Sequence, residues 1–235
     1  MADVRKTLES EREMEKQFVT EAIRSETQPQ GWPAALVMFH ISMWRERMRD
    51  ALTEFRHARP YAAPPENIDE VNDAELASGI GTPLADAAAR SDKLLTELID
   101  LAGELGDRPF KWFSATTTSE ALLRNSYVHP RNHIFEYLKE NGDQAAADRL
   151  VEDGASEMRA IGAPTFILGA TLYNLAAVRT AQGHLDEALL LLEEAMPMRP
   201  DARLLAATDD DFAPLRENAR FKALVRASGD EDGTN

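Results

Sequence analysis

The chain has 235 residues, no cysteine and a formal net charge of −15. The lack of thiols excludes disulfides, thiolate metal sites and a cysteine nucleophile from the chain, and an acidic surface repels phosphate backbones, so direct nucleic-acid binding is not expected. An apolar content of 43% supports a real core, no run of ~18 apolar residues reads as a membrane span, and the charged N-terminus lacks a secretory h-region, so the cytosol is the expected address.

Helical periodicity dominates, and no stretch shows convincing strand alternation, so the expected fold class is all-α. Residues 3 to 25 read as a first, charged helix with a thin stripe of Val4, Leu8, Phe18 and Ala22, broken by Gln28-Pro-Gln-Gly31. Trp32-Pro33 opens a second helix, where proline suits the first turn. Its stripe is Val37, Ile41, Trp44, Met48 and Phe55, and His40 falls on the same side. Arg45, Arg47, Arg49, Arg56 and Arg59 interleave with acids, which predicts a solvated, salt-bridged face. Residues 58 to 82 form a long, proline- and glycine-punctuated connection in which Ile68 to Leu76 can make a short helix. Thr82-Pro83 is expected to cap a third helix with Leu84, Ala88, Leu94 or Leu95, Leu98 and Leu105 inward. A loop from Gly106 to Thr118 carries Phe110, Trp112 and Phe113, and its threonines cap a fourth helix with Leu122, Ser126, His129 and His133 on one side.

Three of the five histidines have metal-site placement. His129 and His133 are one helical turn apart, so both imidazoles can face one cation, and His40 lies on the inward stripe of another helix. Taken alone, His40 reads as a core histidine and the pair as two histidines flanking a proline turn; the three together favour a site. Pro130 sits between the pair. It removes a backbone donor and disfavours helical geometry at His129, so the helix either kinks, freeing the Ser126 carbonyl, or ends near Val128 and restarts. Trp44, Asn125, Tyr127 and Glu136 are candidate pocket residues beside the triad, with packing the plainer role for Tyr127 and solvation for Glu136. Trp32, Trp44 and Trp112 are candidate cleft walls. His57 and His184 have no such partners.

From Tyr137 the chain becomes alanine- and leucine-rich. Gly142 and Gly183 are 41 residues apart, and Ala147/Ala188 and Leu150/Leu191 keep that offset, the mark of a repeated helical hairpin. In the second copy, Leu172, Leu175, Ala176, Gly183, Ala188, Leu192, Ala195 and Pro200 resemble a tetratricopeptide (TPR) repeat, with Arg179 where that family often has an aromatic. Residues 211 to 224 resemble the end piece of such arrays. Two hairpins are too few for a freestanding solenoid, so they are expected to share one cooperative unit with the preceding helices. The resemblance implies a capacity to bind a protein partner.

Residues 1–141 resemble the DinB-like up-and-down four-helix bundles. The similarity lies in Gly31-Trp-Pro, Phe39-His-Ile and Trp44 on the second helix and in His129 and His133 on the fourth. Pro64-Pro65, Ile68-Asp-Glu-Val-Asn72, Pro83-Leu-Ala-Asp86 and Asn125-Ser-Tyr127-Val-His129 are similar to the colibactin self-protection (ClbS/DfsB-like) branch. The resemblance implies a metal-binding histidine triad of His40, His129 and His133 holding zinc, nickel or iron. It implies hydrolysis or thiol transfer on a small electrophilic or xenobiotic molecule, in detoxification or self-protection. Any thiol must be an external low-molecular-weight one. The alternative is a non-enzymatic TPR-type interaction scaffold with structural histidines. The expected organisation is therefore a DinB-like bundle over 1–141, TPR-like hairpins over 142–228 and an acidic tail over 229–235.

Overall fold

The computed structural model describes residues 3–24 and 29–226; the acidic tail lies outside the described residues. Helix dominates, as the periodicity predicts. In chain order the elements are α1 (Val4–Arg24), α2 (Ala34–Arg56), α3 (Ile68–Gly79), α4 (Leu84–Leu105), strands β1 (Pro109–Trp112) and β2 (Ala115–Thr117), and α5 (Thr118–Leu123). A π-helical turn (Arg124–Val128) leads directly into α6 (His129–Glu140). Then come α7 (Gln144–Ala160), α8 (Thr165–Ala181), α9 (Leu185–Met198), α10 (Ala202–Thr208), a 3₁₀ turn (Asp210–Leu215) and α11 (Ala219–Arg226). Packing divides the chain within α7 into two compact units, Met1–Ala147 and Asp148–Asn235.

In the first unit α2 packs along α4, α1 packs on α4 and the π turn, and α6 packs on α2 and the π turn. The stripe of α2 is inward as expected at Val37, Ile41, Trp44 and Met48, with Leu52 fully buried and Phe55 only half-buried. On α4, Ala87 and Ser91 take the inner positions expected of Leu84 and Ala88, which are half-buried. The stripe of α1 is not thin. Leu8, Glu11, Glu15 and Phe18 are all buried, a 3-4-3 spacing that keeps two carboxylates on the core side.

Those carboxylates correct the reading of the arginines. Arg47, Arg49, Arg56 and Arg59 do pair with acids at the surface. Arg45 instead has no exposed surface and donates to both Glu15 oxygens at 2.8 and 2.5 Å and to Ser91 Oγ at 2.7 Å. Beside it, Arg131 Nε meets Glu11 Oε2 at 2.7 Å. Burial raises the Glu11 carboxyl above its ordinary range, opposed by Arg131 and reinforced by the charge of Glu15.

The loop expected from Gly106 to Thr118 contains a small antiparallel hairpin, pairing Pro109 with Thr117 and Trp112 with Ala115. Its burial alternates, with Phe110 and Trp112 inward. Four residues are too few for that alternation to stand out in the sequence. Phe113, at the tip, has φ 51°, a left-handed conformation costly for a bulky side chain. Thr117 caps α5, its Oγ1 accepting from Glu120 N at 3.2 Å, and the Glu120 carboxylate accepts in return from Thr116 N at 2.7 Å. This is the reciprocal logic of a capping box.

The second unit has its own core. Ala176, Leu189, Leu192, Met196, Phe212, Leu215 and Phe221 pack together from α8, α9, the 3₁₀ turn and α11. The repeat is visible in the backbone: Gly142 N bonds Lys139 O and Asp143 N bonds Leu138 O, and 41 residues on Gly183 N bonds Thr180 O and His184 N bonds Arg179 O. Both glycines have positive φ, 83° and 79°, the left-handed helix ending that a Cβ disfavours.

Candidate metal centre and adjoining cleft

Pro130 decides how the fourth helix is built. A proline at this position cannot donate to the carbonyl of Ser126 and its ring crowds that carbonyl. The helix neither kinks apart nor restarts. It widens by one residue into a π turn, so that His129 N donates to Arg124 O, five residues back. His129 stays in right-handed helical geometry, φ −62° and ψ −47°, which corrects the expectation that proline pushes it out. The Ser126 carbonyl is freed as expected, and it accepts from Arg45 Nη2 at 3.3 Å. The buried guanidinium thus supplies the donor that Pro130 lacks.

With the helix continuous, His129 and His133 face the same side and meet His40 from α2. The Nε2 of His129 lies 3.1 Å from that of His40 and 3.1 Å from that of His133. One ligand nitrogen from each of the three lies within 4.8 Å of the others. Two nitrogens each ~2.0–2.1 Å from one ion and ~90–109° apart around it stand ~2.9–3.4 Å from each other. Both spacings to His129 fall in that range, which suits a divalent ion shared by neighbouring imidazoles. Protons alone serve this cluster poorly, because His129 Nε2 offers a single in-plane donor or acceptor to two neighbours.

Burial holds the imidazoles neutral, the state a metal requires. His40 is lowered to about 3 by burial and then by His133, and His133 to about 4 by burial. His129 is held well below its ordinary value by burial, then by the two other histidines, with Arg124 and Arg45 adding. Ring contacts orient them. Trp32 stacks on His133 at 5.7 Å and meets His40 edge-on at 5.3 Å, and Trp44 meets His40 and His129 edge-on at 6.5 and 6.2 Å. Hydrogen-bond support is thinner: Nδ1 of His40 and of His129 is buried without a partner among the described residues. Such outer bonds commonly strengthen a metal site by ~10–100-fold.

The triad borders a cleft of ≈ 200 Å³ that is also lined by Trp44, Ile68, Asn72, Phe113, Arg124 and Asn125. Of the pocket residues expected from sequence, Trp44 and Asn125 line this cleft. Asn125 is held by bonds from its Nδ2 to Trp44 O at 3.1 Å and to its Oδ1 from Ser126 Oγ at 2.9 Å. Tyr127 does not line it; it is fully buried beneath the Arg131 guanidinium, 4.1 Å from the ring centre. Glu136 is exposed and lines a separate cleft of ≈ 170 Å³ with Trp32, Val37, Tyr137 and Glu140, on the other side of His133. Trp112 is buried behind the hairpin, against Phe110 and Phe113, rather than in the cleft.

Sequence reasoning missed Phe113, Arg124 and Asn72 as cleft residues. Phe113 carries no periodic signal, since a left-handed turn aims it. Arg124 resembles any surface arginine, and the π turn sets its direction. Asn72 comes from the connection between α2 and α4, where Trp44 Nε1 donates to its Oδ1 at 3.1 Å. No family model, no curated protein and no solved structure matches this chain.

Proposed function

We propose that the first unit is a metal-dependent enzyme of the DinB-like bundle kind, acting on a small electrophilic or xenobiotic molecule by hydrolysis or thiol transfer. One observation carries this reading: three neutral imidazole nitrogens, with 3.1 Å contacts among them, converge at the wall of a cleft. Neutral imidazoles suit zinc, nickel and iron. When bound, such an ion supplies Lewis acidity, which lowers the pKa of a water or an external thiol toward neutrality. The chain's own part is to hold three nitrogens from two helices in place, to keep them deprotonated by burial, and to wall the adjoining cleft with Trp44 and Phe113. The detoxification role and the ClbS/DfsB-like branch rest on the sequence resemblance.

The test is metal analysis of protein purified without a histidine tag, followed by calorimetric titration with zinc and nickel. Near-stoichiometric metal, or binding of one ion per chain that is lost in His40→Ala and His133→Ala, is the expected result. A folded protein that binds neither ion sinks the reading. The histidines would then be structural, and the TPR-like hairpins of the second unit would lead as a site for a protein partner.

A further inference from the structure

One amide in the cleft beside the histidines has its orientation fixed by its neighbour. An indole N–H only donates, so the 3.1 Å bond from Trp44 Nε1 makes Asn72 turn its Oδ1 to the tryptophan. Trp44 has little freedom to yield in this pair. It is buried, its carbonyl accepts from Asn125 Nδ2 at 3.1 Å, and its ring lies edge-on to His40 and His129. The polar end that Asn72 has left for the cleft it lines is the Nδ2, with two N–H donors that no acceptor meets among the described residues. The Oδ1 of Asn125 already accepts from Ser126 Oγ at 2.9 Å. The chain has 41 acidic residues, yet among the described residues no carboxylate lines this cleft to take those donors. Arg124 enters only as part of the wall, its guanidinium stacked 4.3 Å from the centre of the Phe113 ring. The Trp44 and Phe113 rings, 6.0 Å apart between centroids, and Ile68 supply the apolar surface.

We infer that Asn72 is a specificity-determining residue of this cleft, donating from its Nδ2 to the carbonyl oxygen of a small, flat substrate whose apolar body lies on Trp44 and Phe113. The inference rests on reading the cleft as the substrate site beside the histidines, and it assigns the substrate class. A carbonyl oxygen accepts near the plane of the group that bears it, so the acceptor that suits Asn72 and the flat body that suits the rings come in one molecule. A carbonyl carbon is also an electrophile on which hydrolysis acts, and a donor held at its oxygen stabilises the charge that develops there. A ligand with an N–H in that place would set donor against donor. One with only carbon there would leave the Asn72 donors unmet, which costs affinity.

Acetophenone and α-methylstyrene test this, because they share a shape and differ by an oxygen in place of a methylene. Their dissociation constants for the full-length chain as purified are measured by ligand-observed NMR, and zinc affinity is titrated separately. Asn72→Leu should weaken acetophenone about fivefold or more relative to α-methylstyrene, the worth of one hydrogen bond. That substitution also takes the acceptor from Trp44, so Asn72→Asp is measured beside it. The carboxylate keeps an oxygen for the indole and puts a second oxygen where the Nδ2 donors stood, so the same ratio should fall by at least as much. Should Asn72→Leu fail to fold by circular dichroism, Asn72→Ala takes its place. A fall in both variants supports the assignment. No acetophenone binding to the unsubstituted chain at millimolar concentration, or a ratio that falls in only one variant or in neither, overturns it; a fall in Asn72→Leu alone would show that Asn72 serves to hold Trp44. Zinc binding with an overturning result leaves the metal reading standing and removes this one. The expected ratios in a protein that binds no zinc do the reverse.

Discussion

His133 is the candidate ligand to test first, because it shares a helix face with His129 and is the ring on which Trp32 stacks. His133→Ala is expected to abolish metal binding, whereas His57→Ala, which alters an exposed histidine near Arg56, should leave it intact; a zinc titration of both variants checks this. The pH dependence comes from burial. An ordinary imidazole titrates near 6.5, so at pH 5 proton competition would weaken a metal site by ~30-fold for each histidine. Here His133 and His40 are lowered to about 4 and about 3, so both stay neutral at pH 5. Zinc affinity should change little between pH 7 and pH 5 and fall as pH approaches 4, measured by competition with a chelator of known pH dependence. The same shifts bear on folding. Between about 4 and 6.5 the unfolded chain takes up protons that these histidines refuse when folded. Their contribution to stability is therefore present above 6.5 and is lost as pH falls through that window.

At the scale of elements, the π turn and the buried ion pairs form one device. Pro130 withholds a donor from the Ser126 carbonyl, and Arg45 provides one while bound to Glu15 on α1 and Ser91 on α4. Substituting Pro130→Ala restores an N–H and removes the ring that widens the turn. Relaxation to α-helix would rotate α6 by up to ~100° relative to α5. The expected outcome is unchanged helicity by circular dichroism with zinc affinity reduced about tenfold or more, since the site depends on ligand placement. Arg45→Met strands the Glu15 carboxylate in the core and should cost ~3–5 kcal/mol in urea unfolding. The double variant Arg45→Met/Glu15→Leu should recover much of that, because it is the unpaired buried charge that is expensive. A double variant as unstable as the single one would show that the guanidinium matters chiefly for its bond to the Ser126 carbonyl.

For the whole molecule, metal binding at the triad would be linked to folding. An ion that binds the three histidines only when α2 and α6 are in place stabilises the native state by ~2.7 kcal/mol at a free concentration 100 times its dissociation constant. Scanning calorimetry should show a rise in Tm with zinc in the wild-type chain and none in His133→Ala. The helical class, the stripe of α2, the inward leucines of α4 from Leu94 onward, the threonine cap of α5 and the 41-residue repeat with its turn glycines were legible in the sequence, whereas Leu84 and Ala88 are only half-buried and α4 begins after Pro83 with no side-chain cap bond. Each rests on interactions within a few residues, so spacing and residue type suffice. The triad was half legible: residues four apart on a helix must share a face, and His40 lay on an inward stripe. Other features were decided only by tertiary structure. Nothing local distinguishes Arg45 from the surface arginines beside it on α2; what buries it is the presence of Glu15, Ser91 and Ser126 from three other elements. Nothing local aims Phe113, Asn72 and Arg124 at one cleft; a left-handed turn, a bond from Trp44 and a widened helical turn do that. The sequence by itself determined which residues could be ligands. Tertiary packing decided that their nitrogens meet, because only a protein interior can supply the buried donor that holds a proline-widened helix in register.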